Sequence, residues 1–153
     1  MNEQSRAWAQ PSGRTAPMTA GRQLADFEGI WSMERRITHG DGTQARLIGQ
    51  ARWTRAADAL DLCESGMLEV EGQPALEAER RYRWAPGMRV YFSDGRFFHA
   101  VPPEGGTVSH WCDPDTYEGI YDFSVWPSFE VSWMVSGPSK DYHMHTIYRR
   151  NGS

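Results

Sequence analysis

Between Gly29 and Arg150, apolar and polar side chains alternate at nearly every second position, in runs separated by short segments rich in Gly, Pro, Asp and Ser. A period of two is typical of half-buried β-strands and differs from the 3.6-residue period of amphipathic helices. The Asp94-Gly95 pair between two aromatic-rich runs is a strong hairpin signal. The pattern predicts about ten strands, near residues 29–38, 44–54, 59–70, 75–84, 88–93, 96–101, 107–112, 117–125, 129–136 and 141–150.

The predicted strands are joined by connections of about two to six residues, which suit hairpins. A parallel pair needs a crossover of a dozen residues or more, so the strands are expected to follow one another as an antiparallel meander. An open sheet of this size would leave two long edges, and closing the sheet removes both. The predicted fold is therefore all-β: a closed antiparallel meander barrel with a short helical turn at residues 23–28 before it.

The length of 153 residues suits one domain. Residues 1–22, rich in Ser, Gly, Pro, Thr and Ala, are predicted to be a disordered tail, and residues 23–153 a single β-barrel domain. The tail has no apolar stretch typical of a secretory signal, and its arginines leave a transit peptide as an alternative. We therefore expect a cytoplasmic protein in which Cys63 and Cys112 are reduced.

The composition excludes several classes of function. A net charge of -4 gives no basic field for nucleic acid, and no apolar run approaches the ~20 residues that span a bilayer. The sequence contains no serine nucleophile elbow, P-loop or dinucleotide fingerprint. We expect a monomer or homodimer, and Trp8, Trp111 and Trp126 leave a partner-binding surface as an alternative.

Two segments at the ends of the barrel carry a family resemblance. Gly29 and Trp31 open the first predicted strand, and Arg149 and Arg150 end the last. In a closed meander these strands are neighbours, so one of the arginines can lie across the Trp31 ring and cap the barrel floor. This layout resembles the calycin superfamily, which includes lipocalins and fatty-acid-binding proteins. The resemblance implies that Trp31 points inward and that Gly29, Trp31 and Arg149 or Arg150 are structural.

A closer resemblance covers about residues 26–150 and rests on segments 80–84, 94–99, 110–117 and 133–142. These segments look like a family of short bacterial proteins that carries a domain-of-unknown-function label. The resemblance supports the barrel and implies no activity.

Three charged residues fall on inner faces once Trp31 points inward: Arg35, Glu64 and Arg80. Charges are rarely buried unpaired, and two arginines with one glutamate leave a positive charge over. Barrels of this size commonly enclose one small ligand, and a guanidinium binds carboxylate or phosphate through paired hydrogen bonds. The sequence thus predicts a lumen that binds a small anionic, partly apolar molecule. A structural Arg–Glu–Arg cluster with buried water is the alternative.

Small inner residues are expected to leave room for such a molecule, namely Gly49, Ala51, Ala78 and Gly119. The candidate ligand-binding residues are the charged, hydroxyl and imidazole groups predicted to line the lumen: Arg35, Glu64, Arg80, Tyr82, His99, His110, Tyr117 and Tyr121.

The same residues suggest an enzyme or a metal site as alternatives. His99 with Glu64, or His110 with Asp115, would form an acid–base pair. His99, His110, Cys112 and Asp115 fall on predicted neighbouring strands, and their side chains are typical ligands of zinc.

Haem is a third alternative, by analogy with other ten-stranded barrels, with His143 or His145 as its ligand. Predicted strands six, seven and ten carry rings or histidines on both faces, so their inner faces stay undetermined. The sequence identifies no cofactor.

Overall fold

The computed structural model describes residues 21–150, which form one ten-stranded antiparallel sheet after a helical turn. In chain order the elements are α1 (Leu24–Phe27), β1 (Gly29–His39), β2 (Gln44–Ala56), β3 (Ala59–Val70), β4 (Leu76–Ala85), β5 (Arg89–Phe92), β6 (Phe97–Ala100), β7 (Gly106–Cys112), β8 (Asp115–Asp122), β9 (Phe129–Ser136) and β10 (Asp141–Arg150). The hydrogen-bonded order is β6-β5-β4-β3-β2-β1-β10-β9-β8-β7. The predicted meander, in which the first and last strands are neighbours, is confirmed.

The barrel is nearly closed. The hydrogen-bonded ladder ends at β6 and β7, and these two strands contact each other without pairing. We call this junction the β6/β7 seam. Because β5 and β6 have only 4 residues each, their hairpin offers few backbone groups to the 7-residue β7.

Strand β8 ends earlier than the apolar pattern predicts. The Asp122 carboxylate accepts a hydrogen bond from the backbone N–H of Ser124 at 2.9 Å, and the N–H of Trp126 donates to the carbonyl of Phe123 at 3.1 Å. These bonds form a turn, so Phe123 packs inside the barrel from a loop.

A β-bulge explains why the sequence left the inner face of the sixth strand undetermined. Val90 pairs with His99 and Tyr91 with Phe97, so Phe98 is an extra residue in β6. As a result Phe98 and His99, although consecutive, are both buried. A strict period of two cannot predict this arrangement.

Aromatic rings fill the barrel end that α1 covers. The ring of Phe27, which is fully buried, lies 5.0 Å from that of Trp84 and 5.4 Å from that of Phe129. The indole N–H of Trp31 donates to the Phe27 carbonyl at 2.9 Å. This cluster closes the floor, and the lumen lies above it.

Arg150 caps this floor. Its guanidinium lies 4.2 Å from the centre of the Trp31 ring and donates to the carbonyls of Asp26 and Glu28. Arg149 is exposed instead. Gly29 turns the chain from α1 into β1 with a φ of 129°, in the region that favours glycine.

Two of the glycines expected to leave room in the lumen do not do so. A Cβ on Gly119 would lie 2.7 Å from ring atoms of Trp133, and one on Gly49 would lie 1.9 Å from the carbonyl oxygen of Ser65. The space beside Gly119 is filled by the Trp133 ring, and the space beside Gly49 by backbone. These glycines permit close packing, and the expectation that they widen the lumen is wrong.

The predicted tail lies outside the described residues up to position 20, and so does Trp8. Arg22 is held against the barrel: its N–H donates to Pro103 at 2.7 Å, and its guanidinium lies 4.7 Å from the Trp126 ring. No helix within residues 21–150 is long and apolar enough to cross a bilayer.

Candidate ligand-binding cavity

A cavity of about 250 Å³ occupies the lumen above the aromatic floor. Of the eight candidate residues, all except His110 line it. Most of its wall is apolar, with contributions from several strands: Leu62, Val90, Phe98, Val131, Trp133 and Met144. A mainly apolar wall with a few polar groups is typical of small-molecule sites.

Arg35 and Glu64 form a buried ion pair on the cavity wall. The Nη2 of Arg35 donates to Oε1 of Glu64 at 2.9 Å, and the hydroxyl of Tyr148 donates to Oε2 at 2.5 Å. The Nε of Arg35 donates to the Thr146 hydroxyl at 2.7 Å. Burial works to lower the pKa of Arg35, but Glu64 and the neighbouring tyrosines, chiefly Tyr148, together outweigh burial, and the net shift is upward. Both charges of this pair are therefore compensated inside the protein.

Arg80 lies on the same wall but is not compensated in this way. It stands directly opposite Glu64 in the β3–β4 register, yet no carboxylate within residues 21–150 reaches its guanidinium at ion-pair distance. Burial works to lower the pKa of Arg80, but Tyr82, with a smaller contribution from Glu64, turns the net shift upward. Arg80 lines the cavity and is exposed, so it marks the place where the lumen meets solvent.

The mouth of the cavity is polar. Lys140, in the turn before β10, lies 3.0 Å from the carboxylate of Asp115 and donates to the hydroxyl of Tyr117 at 3.4 Å. The hydrogen bond to Asp115 raises the pKa of Lys140. Tyr142 also lines the cavity, and burial raises the pKa of its hydroxyl.

His99 forms a hydrogen bond of 2.8 Å with the hydroxyl of Tyr121 through its Nε2. Burial, with a smaller effect of His110, lowers the pKa of His99 to about 3, and burial raises the pKa of Tyr121. Both groups are therefore neutral at neutral pH. They place a polar contact on an otherwise aromatic wall.

His110 belongs to the seam and not to the cavity. Its ring lies 5.3 Å from that of Phe98 and 5.9 Å from that of Tyr117. Burial and the charge of Arg96 lower the pKa of His110. We infer a packing role that joins β6 to β7.

The predicted acid–base pairs are not formed. The Nε2 of His99 bonds to Tyr121 and not to Glu64, and Asp115 pairs with Lys140 and not with His110. Within residues 21–150, no group of three or more His, Cys, Asp or Glu side chains is placed to hold a metal ion. The proposed zinc ligands therefore do not form a cluster.

The histidines considered for haem lie on the outer face of β10. His143 is exposed, and His145 bonds to the Glu130 carboxylate at 2.7 Å. The inner face of β10 carries Thr146 and Tyr148, so the histidines cannot reach the lumen. Because their side chains point away from the lumen, neither histidine can bind a haem held inside the barrel.

Four polar residues of the cavity were absent from the candidates that the sequence supplied: Lys140, Tyr142, Thr146 and Tyr148. Three of them, Tyr142, Thr146 and Tyr148, lie on β10 at even spacing from Arg150. Had Arg150 been placed inward over Trp31, the period of two would have put all three on the inner face. Lys140 lies in a turn, where no period applies, so its position could not be found in this way.

Among solved structures, the chain is similar to the S-type phycobiliprotein lyase CPES from Guillardia theta. The identity is 8%, the likeness covers 85% of this chain and 91% of that one, and the TM-score is 0.61. This likeness shows a shared fold alone. Two designed barrels are less similar: a redesigned barrel, mFAP1, bound to DFHBI (14% identity, 84% and 99% covered, TM-score 0.42) and a de novo designed fluorescence-activating barrel (16%, 84% and 96%, TM-score 0.41).

A comparison with curated protein sequences finds no match. The sequence pattern of a family described as "Family of unknown function (DUF6314)" matches residues 27–150. The predicted resemblance to a family with a domain-of-unknown-function label is confirmed. Because the match spans most of the chain, this protein belongs to the family of unknown function DUF6314.

Proposed function

We propose that the barrel binds one small anionic, partly apolar molecule in its lumen. The observation that carries the proposal is Arg80, a cation on the cavity wall that forms no ion pair with any carboxylate of the described residues. A cation in a partly dry site favours an anionic partner. The apolar wall around it would hold the rest of the molecule.

The other charged groups of the cavity support the same conclusion, because each already forms an ion pair with another protein side chain. Arg35 is paired with Glu64, and Lys140 with Asp115. An Arg–Glu–Arg cluster that satisfies itself was the alternative, but Arg80 lies outside the hydrogen bonds that join Arg35, Glu64 and Tyr148.

Native mass spectrometry tests the proposal, on protein taken from cells and on protein incubated with millimolar phenylacetate or hexanoate. We expect one bound molecule per chain. The variant Val131→Phe, which enlarges a wall residue, should lose it while remaining folded. A wild-type protein that carries no small molecule under either condition contradicts the proposal.

We also propose that the protein acts in the cytoplasm as a monomer or homodimer. The two cysteines are free, and the net charge of -4 gives no attraction to nucleic acid. Trp111 is 63% exposed and Trp126 packs against Phe27, so only Trp111 of these two is available to a partner. Light scattering at two concentrations distinguishes the two states of association.

A further inference from the structure

The charges around the lumen leave one positive charge in excess. Its wall carries the cations Arg35, Arg80 and Lys140 and the carboxylate of Glu64. Glu64 lies 2.9 Å from Arg35, and Asp115 lies 3.0 Å from Lys140. Among the described residues that line the lumen, Arg80 is therefore the charge without an ion-pair partner.

The remaining titratable groups of the wall do not change this balance. His99 is uncharged at neutral pH, since burial lowers its pKa to about 3. The hydroxyls of Tyr121 and Tyr148 stay protonated, because burial raises the pKa of each.

Arg35 offers a second donor group to the lumen, its Nη1 atom. Its Nε and Nη2 atoms donate to Thr146, Glu64 and Tyr148, whereas its Nη1 donates to no group within residues 21–150. Arg35 as a whole is only 6% exposed. A fully buried Nη1 without a partner would count among the unsatisfied buried polar atoms, and it does not, so this atom keeps some accessible surface. The Nη1 atom therefore borders the cavity.

The guanidinium groups of Arg35 and Arg80 both line the same cavity of about 250 Å³. From these contacts, and resting on the proposed binding function, we propose that the lumen selects monoanionic carboxylic acids. Their carboxylate lies between the Nη1 of Arg35 and the guanidinium of Arg80, and their apolar body lies against the wall.

Charge matching gives the reason for this selectivity. A neutral molecule would expel water from Arg80 without replacing its counter-charge. A dianion would carry two negative charges into a lumen that has one positive charge in excess. Its second charge would lose its hydration without gaining a counter-charge. A monoanion leaves neither deficit, and a carboxylate accepts the paired hydrogen bonds that a guanidinium offers.

The cavity volume limits the apolar body. An apolar cavity of about 150 Å³ accepts benzene, and the lumen measures about 250 Å³. A single ring with a short acid arm fits this space.

Four probes with one phenyl ring test the charge: phenylacetate (monoanion), phenylacetamide (neutral), phenyl phosphate (dianion at pH 8, because the second pKa of a phosphate ester is about 6) and 2-phenylethylamine (cation). Binding is followed at pH 8 through tryptophan fluorescence, since Trp53, Trp84 and Trp133 line the cavity. We expect phenylacetate to bind at least about tenfold more tightly than the other three.

Matched arginine variants on β4 test the position. Arg80→Gln should weaken phenylacetate binding roughly 10- to 100-fold. Arg81→Gln changes the next residue, whose guanidinium pairs with Glu79 on the outside of the barrel, and should alter the affinity by less than about twofold. Arg80→Lys keeps the charge and should retain the preference for phenylacetate over phenylacetamide.

Three results would overturn the inference, and they differ in whether the proposed binding of anions fails with it. If phenyl phosphate binds as tightly as phenylacetate, the choice of a monoanion is wrong and the proposed binding of anions stands. If phenylacetamide binds as tightly and Arg80→Gln has no effect, the binding of anions is wrong as well. If no probe binds the wild-type protein, both proposals fail.

Discussion

Arg35 and Arg80 show how the same residue type takes two roles in one lumen. Arg35 is 6% exposed and has Glu64, Thr146 and Tyr148 around it. Arg80 is exposed at the edge of the cavity and has no ion-pair partner within residues 21–150. The first guanidinium is held in the folded core and leaves only its Nη1 for a ligand, whereas the whole of the second is available to one.

Changing Glu64→Gln should destabilise the fold, because it leaves Arg35 buried without its counter-charge. Removing one partner of a buried ion pair typically costs about 3–5 kcal/mol. Urea unfolding measures the loss. The double variant Arg35→Met/Glu64→Leu, which removes both charges, should be more stable than Glu64→Gln alone. A single variant as stable as the wild type would show that the pair is not buried as described.

Acid should weaken the fold through His99. Its pKa is about 3 in the folded protein against an ordinary 6.5, so between these values the unfolded chain binds a proton that the folded protein does not. The free energy of unfolding therefore falls as the pH is lowered from 6.5 toward 3, by up to about 1.4 kcal/mol per pH unit from this residue.

Urea unfolding at pH 7.5 and pH 5 checks this effect, with His99→Gln and His143→Gln compared with the wild type. His99→Gln should lose this part of the pH dependence. His143→Gln should keep it, because His143 is exposed on the outer face of β10. Equal pH dependence in all three proteins would mean that His99 titrates normally.

At the scale of elements, the β6/β7 seam is the weak line of the barrel. Each of these strands has a hydrogen-bonded neighbour on one side only, and ring contacts such as Phe98 with His110 join them. Strands β2 and β3, in contrast, are hydrogen-bonded to a neighbouring strand on both sides.

Amide hydrogen exchange should therefore be faster in β6 and β7 than in β2 and β3. Phenylacetate should slow exchange in β6, since Phe98 and His99 line the cavity. Uniform exchange across all ten strands would mean that the seam is as stable as the hydrogen-bonded ladder.

The strands could be predicted because each apolar run has a period of two and each turn is short. The alternation of side chains along each strand, with Trp31 pointing inward, then placed Arg35, Glu64 and Arg80 inside. The cavity lining includes all three. The bulge at Phe98 could not be predicted, since one extra residue changes the parity of a strand without altering its composition.

For the whole molecule, the sequence predicted the charges of the lumen but not their pairing. Which arginine Glu64 would compensate depends on side-chain distances between β1, β3 and β4, and the folded barrel sets those distances. Lys140 lies in a turn and meets Asp115 at the start of β8, where no periodic pattern guides prediction. The functional claim therefore depends on tertiary geometry.

A crystal structure of the protein grown with phenylacetate tests this claim most directly. We predict one phenylacetate in the lumen, its carboxylate within about 3 Å of the Arg80 guanidinium and its ring against Val131 and Phe98. A lumen that holds only water at saturating phenylacetate, with Arg80 directed into bulk solvent, would contradict it.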